Sequence, residues 1–242
     1  MKRRALVAQT RAETLLQLRR GENLIVTLAI PLGILVFFAK IDAISTDFDH
    51  PVDFLVPGVL SLAVMAAAMV SLGIATGFER RYGVLKRLGT TPLSRGGLLV
   101  AKTATVLVLE ILQILLVVVV GVAIGWHVPA GIVPAFGLLL VGTVAFAGIG
   151  MLMAGTLRAE ANLAAANGLF LVLLFLGGMA YPLAKLPTPM QTLAKALPAA
   201  ALSETVRSVL SSQAFPSGEL AVLVAWAVGA PLLAARYFRW EE

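Results

Sequence analysis

The amino-acid sequence predicts an all-α integral membrane protein with six transmembrane helices, and three observations carry that reading. Hydrophobic residues make up 59% of the 242 residues and charged residues only 13%, a balance far from that of soluble domains. Six apolar runs reach or approach the roughly 20 residues that a spanning helix needs: Leu24 to Ile41, Phe54 to Phe78, Leu98 to Trp126, Val133 to Leu157, Leu163 to Pro182 and Leu220 to Phe238. The basic residues then sort by loop. Lys2, Arg3, Arg4, Arg11, Arg19 and Arg20 precede the first run, a basic loop joins the second to the third, Arg158 joins the fourth to the fifth, and Arg236 and Arg239 close the last. The intervening loops carry Asp42, Asp47, Asp49 and Asp53, then no charge around Trp126 to Gly131, then only Lys185, Lys195 and Arg207 among their bases. The positive-inside bias therefore puts both termini in the cytoplasm of a cell membrane.

The first segment, 1–22, reads as a helix lying in the membrane interface over Arg4 to Arg20. Ala8, Ala12, Leu15 and Leu16 share one side, while Arg4, Arg11 and Arg19 reach the headgroups. A plain positive anchor for the first span explains the same residues. Leu24 to Phe38 after a basic start imitates a secretory signal, but A-K-I-D-A-I-S beyond it offers no small-x-small cleavage site, so a retained anchor is expected.

The second span ends in the loop of residues 79–95, which with Phe78 reads F-E-R-R-Y-G-V-L-K-R-L-G-T-T-P-L-S-R. Arg80, Arg81, Lys86, Arg87 and Arg95 hold it on the cytoplasmic side, and Phe78, Tyr82, Leu85 and Leu88 recur at helical spacing. A short amphipathic helix is expected, ended by Gly89 and a turn at Pro92. Small residues four apart, Gly73 with Gly77 and later Gly121 with Gly125, suit close helix contacts in lipid, including contacts between subunits.

The third span holds one acidic residue near its middle, Glu110, with Gln113 one turn further on the same face. A carboxylate there must face a water-filled cavity, accept a hydrogen bond or be protonated. Two roles fit: recognition of a cationic amphipathic substrate, or a hydrogen bond to a neighbouring helix through Gln113, Thr143 or Asn167. Asn162 and Asn167 open the fifth span as helix-start or interhelical hydrogen-bond groups. Trp126, Tyr237 and Trp240 fall where interfacial aromatic anchors belong.

Between the fifth and sixth spans, residues 181–218 are broken by Pro182, Pro187, Pro189, Pro198 and Pro216 into pieces too short to cross a bilayer. Met190 to Leu197 and Leu202 to Leu210 have helical apolar spacing. Two short helices that dip into the outer leaflet and return would shelter that surface without exposing unpaired amides to hydrocarbon. An ordinary extracellular loop with surface helices is the alternative.

The order of these parts carries a resemblance. The basic interfacial helix, I-P-L-G-I-L-V-F-F in the first span, E-R-R-Y-G-V-L-K-R-L-G-T-T-P-L-S-R after the second, and G-G-M-A-Y-P-L-A-K-L-P-T-P-M-Q-T-L-A-K-A-L-P followed by E-T-V-R resemble the permease subunits of type-2 ATP-binding-cassette exporters. The likeness spans nearly the whole chain and is greatest to the bacterial daunorubicin/doxorubicin-resistance group of drug-efflux permeases. It implies one transmembrane permease domain over 1–242, a coupling helix seated in a groove of an ATPase subunit, and a re-entrant outer hairpin. Carried onto this sequence, coupling falls on Glu79, Arg80, Arg81, Tyr82, Leu85, Lys86, Arg87, Thr91 and Pro92. The resemblance also implies two ATPase subunits that bind ATP and Mg, a second permease copy, identical or paralogous, and export of a drug-like, amphipathic or lipid substrate. Export of a lipid-linked or polysaccharide precursor is the alternative within the class.

The remaining inventory excludes other chemistries. The sequence has no G-x-x-x-x-G-K-[ST] phosphate loop, so ATP is expected to be hydrolysed elsewhere. Without cysteine there is no disulfide, thiolate metal site or thiol nucleophile. His50 beside Asp47, Asp49 and Asp53 imitates a metal cluster, but a single His on an exposed acidic loop reads as solvated. No Ser or Thr has a His with an orienting acid nearby, so no catalytic site is expected in this chain. A secondary transporter or channel would call for paired intramembrane charges or helices broken at mid-membrane. The net charge of +6 flanks the apolar runs, which suits anionic lipid and not nucleic acid.

Overall fold

A computed structural model describes residues 7, 9–15, 21–41, 51–90, 94–179, 181–211 and 216–239. Among them the regular structure is wholly helical: α1 (9–15), α2 (Gly21–Ile41), α3 (Pro51–Arg81), α4 (Val84–Gly89), α5 (Arg95–Ala123), α6 (Ile132–Thr156), α7 (Ala159–Leu176), a 3-10 turn at Leu183–Lys185, α8 (Thr188–Lys195), α9 (Pro198–Leu210) and α10 (Ser217–Tyr237). Helices are the outcome physics demands, because lipid offers no partner for a free amide and a helix satisfies its own. Among the described residues α3, α5, α6, α7 and α10, five in all, are long and apolar enough to cross a membrane. The expected first span falls on α2, whose apolar segment over the described residues is the shorter Pro31–Lys40. Of the expected interfacial helix, only 9–15 lies within the described residues in continuous form. Asp47, Asp49, His50, Thr91, Pro92 and Trp240 lie outside them.

The core is built around α3, the most enclosed of the spans, while α10 is the least. In α3, Pro57 is accommodated inside the helix and Ser61 Oγ donates to its carbonyl at 2.9 Å. A π-helical segment, Ala66–Ser71, then separates the stretch that starts at Pro51 from the one that ends at Arg81. Opposite it, α6 approaches through glycine: a Cβ on Gly150 would lie 2.6 Å from Met69 O, and one on Gly73 would lie 3.1 Å from Gly150 Cα. Gly77 abuts Asn162 of α7, whose Nδ2 donates to Gly73 O at 2.9 Å. Gly73 and Gly77 thus serve contacts inside this chain, and Asn162 is an interhelical hydrogen-bond group. Asn167 Nδ2 instead donates to Leu163 O in its own helix.

The end of α5 departs from expectation. Gly125 takes a positive φ of 100°, and Trp126 N donates back to Gly121 O at 2.9 Å, which is the Schellman closure of a helix. The turn folds the indole over Gly121, so Trp126 is buried and not a lipid-interface anchor. Tyr237 does stand exposed.

Two ends of the bundle differ in character. One, the basic end, carries α4, the α6–α7 turn and the close of α10, where Phe238 is buried against Gly155 and Arg239 N donates to Gly155 O at 3.1 Å. The other, the hairpin end, carries α8 and α9. Pro187 and Pro198 start these helices, where a missing amide hydrogen is harmless. Leu202 lies against Gly142, ten residues into α6, whereas Val209 lies against Gly131 at its start. Ser203 Oγ donates to Gly177 O, Arg207 Nη2 to Gly178 O at 2.6 Å, and Trp226 Nε1 of α10 to Ala196 O at 3.0 Å. Arg207 is buried, ion-paired to Glu204, with its guanidinium 4.1 Å from the centroid of the Phe54 ring. These bonds hold α9 to the ends of α3 and α7, and the α8–α9 turn to the middle of α10.

Candidate coupling site

At the basic end α3 closes with Tyr82 N donating to Phe78 O at 2.9 Å, and Gly83 follows at φ 71°. That left-handed backbone suits glycine and turns the chain sharply into α4. Thr90 Oγ1 then donates to Arg87 O at 2.7 Å, and Ser94 caps α5 by accepting from Gly97 N at 3.1 Å. The loop therefore presents a short helix fixed at both ends.

Its side chains divide by direction. Leu85 is fully buried in the protein's own core and anchors α4 to the bundle. Tyr82 is 71% exposed with its ring stacked on Phe78, and Arg81, Val84, Lys86, Arg87 and Thr90 are exposed as well. The sequence-predicted apolar stripe is broken by Gly83: Tyr82 and Leu85, three residues apart, face opposite ways because Tyr82 closes α3 and Leu85 lies in α4.

The turn before Tyr82 engages the protein's own helices, Arg80 from within and Arg81 at the surface. Arg80 is buried, and its Nη2 donates to Leu157 O in the α6–α7 turn, while Arg81 ion-pairs with Glu160 at the start of α7. Glu79 reaches the other way: its Oε2 is 2.7 Å from Lys102 Nζ in α5, which also lies 3.1 Å from Glu13 Oε1 in α1. Lys102 and Glu13 were not singled out from sequence, although a signal existed. Lys102 stands inside an apolar run, where an ammonium demands an acidic partner.

Glu110 and Gln113 are both buried in the protein interior. Thr143 Oγ1 of α6 donates to Glu110 Oε2 and also lies 2.9 Å from Leu139 O. Among the described residues Glu110 Oε1 has no hydrogen-bond partner. Thr143 is thus one of the three partners considered from sequence; Asn167 is engaged within its own helix.

A bundle of apolar spans, with charges paired at its loop-bearing end, defines a multi-pass membrane protein whose working parts are its helices. The family model described as ABC-2 type transporter matches residues 4–211, and the chain belongs to that family: it is the membrane subunit of an ATP-binding-cassette exporter and partners with ATP-binding-cassette subunits. No curated protein matches the chain.

Proposed function

We propose that this chain is the permease of a drug-efflux exporter in a bacterial cell membrane, with the basic end cytoplasmic and α4 docked in a groove of an ATPase subunit. The observation that carries it is the outward set of Tyr82, at the turn into α4, and Val84, Lys86 and Arg87 on α4 itself, whose Leu85 is locked into the core. Such a helix offers a partner an aromatic anchor within a basic rim while staying rigid enough to transmit force. Two ATPase subunits, carrying ATP and Mg, and a second permease copy complete the assembly in this reading. Closure of the ATPases displaces α4, and the joined spans tilt to open an outward path for a small amphipathic substrate. Glu79, Arg80 and Arg81 serve coupling from inside, by gripping this chain's own helices.

The hairpin-end contacts support a re-entrant pair. At 1.5 Å per residue, Gly142 is about 15 Å along α6 from its start, so Leu202 sits deep and Val209 at the rim. Glu110 supports a mid-membrane acceptor for a cationic or hydrogen-bond-donating substrate, because Oε1 is unpaired; its bond to Thr143 equally supports a strut between α5 and α6.

The test is purification of the tagged chain from its native membrane. An ATP-binding-cassette ATPase should accompany the wild type, identified by its phosphate-loop peptide, and should be lost from the Tyr82→Asp variant at unchanged permease yield. Equal recovery with both would overturn the docking assignment.

A further inference from the structure

The cluster Glu13–Lys102–Glu79 joins three segments that are far apart in sequence, and the docking reading uses only its Glu79 arm. The Lys102 ammonium is 2% exposed, seven residues into α5. An ammonium has three hydrogens to donate. Three carboxylate oxygens surround it: Glu13 Oε2 accepts a hydrogen bond at 3.2 Å, and Glu79 Oε2 at 2.7 Å and Glu13 Oε1 at 3.1 Å complete the ion pairs. A buried ammonium is tolerated only when it is paired with opposite charge and hydrogen-bonded. The geometry meets that condition only while α1, α3 and α5 stay together.

Further contacts orient the α1 arm. Gln9 Nε2 donates to Glu13 Oε1 at 2.8 Å, one helical turn away, and Thr105 Oγ1 lies 3.4 Å from Thr10 O. On the α3 side, Glu79 is followed at once by Arg80 and Arg81, which hold Leu157 and Glu160. The last turn of α3 is therefore a hub: one side chain faces α1 and α5, and the next two face α6 and α7. A displacement entering through α4 meets this turn first.

We propose that Lys102 is a positioning residue that makes α1 and the coupling element one mechanical body, so that nucleotide-driven movement of α4 is handed to the interfacial helix. This rests on the docking reading above and adds a route into α1. An ion triad suits the task better than apolar contact alone. Sliding α1 past α5 would strand a buried charge, whereas apolar surfaces exchange neighbours at little cost.

The experiment uses the intact complex with its ATPase subunits in lipid nanodiscs. Spin labels at Ala12→Cys in α1 and Thr90→Cys after α4 are each paired with a reference at Met190→Cys in α8, and distances are read by pulsed electron resonance with and without ATP and vanadate. In the wild type both distances should shift on trapping. In Glu13→Gln, which leaves the Lys102–Glu79 pair in place, the Ala12 shift should fall by at least half while the Thr90 shift persists. In Glu13→Gln with Glu79→Gln and Lys102→Met, which leaves no unpaired charge, the Ala12 shift should vanish and its distance distribution broaden. An undiminished Ala12 shift in both variants, or a static Ala12 in a wild type whose Thr90 moves, overturns the proposal alone. A static Thr90 in the wild type overturns the docking reading and the proposal with it.

Discussion

Gly150 of α6 sits so close to the π-helical segment of α3 that a Cβ at its position would lie 2.6 Å from Met69 O. Backbone carbonyl, not a flexible side chain, is the obstacle, so the two helices must part to admit even a methyl group. Gly150→Ala is expected to destabilise the folded bundle by about 1–3 kcal/mol, the usual range for overpacking a core. A thermal melt of the purified protein in detergent checks this; an unchanged midpoint would show that the contact is looser than its geometry.

Tyr82 and Leu85 should separate docking from folding. Leu85→Ala removes a fully buried side chain and should cost about 2–5 kcal/mol of stability. Tyr82→Ala should leave the melt unchanged, yet weaken ATPase association about tenfold or more, because burying such a ring in a partner stabilises by about 1.5–3 kcal/mol. Titrating purified ATPase subunit onto the permease in nanodiscs distinguishes the two variants.

Orientation follows from single cysteines, introduced into a chain that has none. Thr90→Cys and Glu160→Cys should resist an impermeant thiol reagent in intact cells and react in opened ones. Val133→Cys and Lys195→Cys should react in intact cells. The reverse pattern would invert the basic end.

For Glu110 the informative pair is Glu110→Gln and Glu110→Leu. If the side chain recognises charge, the Gln variant should export a neutral dye as before and a cationic dye less. If it is a strut, the Gln variant should export both and the Leu variant should lose folded yield, since removing one partner of a buried hydrogen bond costs about 1–3 kcal/mol.

Much of the fold is legible because lipid simplifies the problem: a long apolar run has few choices besides a spanning helix, and α3, α5, α6, α7 and α10 fall where the runs lie. Prolines likewise marked α8 and α9. The faces of those helices were harder to read. The stripe Phe78, Tyr82, Leu85 and Leu88 looks continuous by spacing, but the positive φ of Gly83 splits it, which sequence registers only as one more glycine. Arg80 looks like a surface base by type, yet is buried, because its partner is a backbone carbonyl 77 residues away. Lys102 was hidden by its position near a span's edge, where lysine usually reaches for headgroups.

The π segment in α3 has a consequence for how defects at the basic end would arise. An α-helix advances about 100° per residue, and a π turn holds one residue more than an α turn. If Ala66–Ser71 ran as α-helix with all its residues retained, everything beyond it would rotate by about that angle. Glu79 would swing off Lys102 and Arg80 off Leu157 in one movement, and α4 would leave from the wrong side of the bundle. The phase of the basic end is thus set within the span, about 12 Å from Glu79 and Arg80. One residue lost within the π segment would be absorbed by its return to α-helix, whereas one lost from the α-helical stretch after Leu72 would present as a loop defect with every loop residue intact.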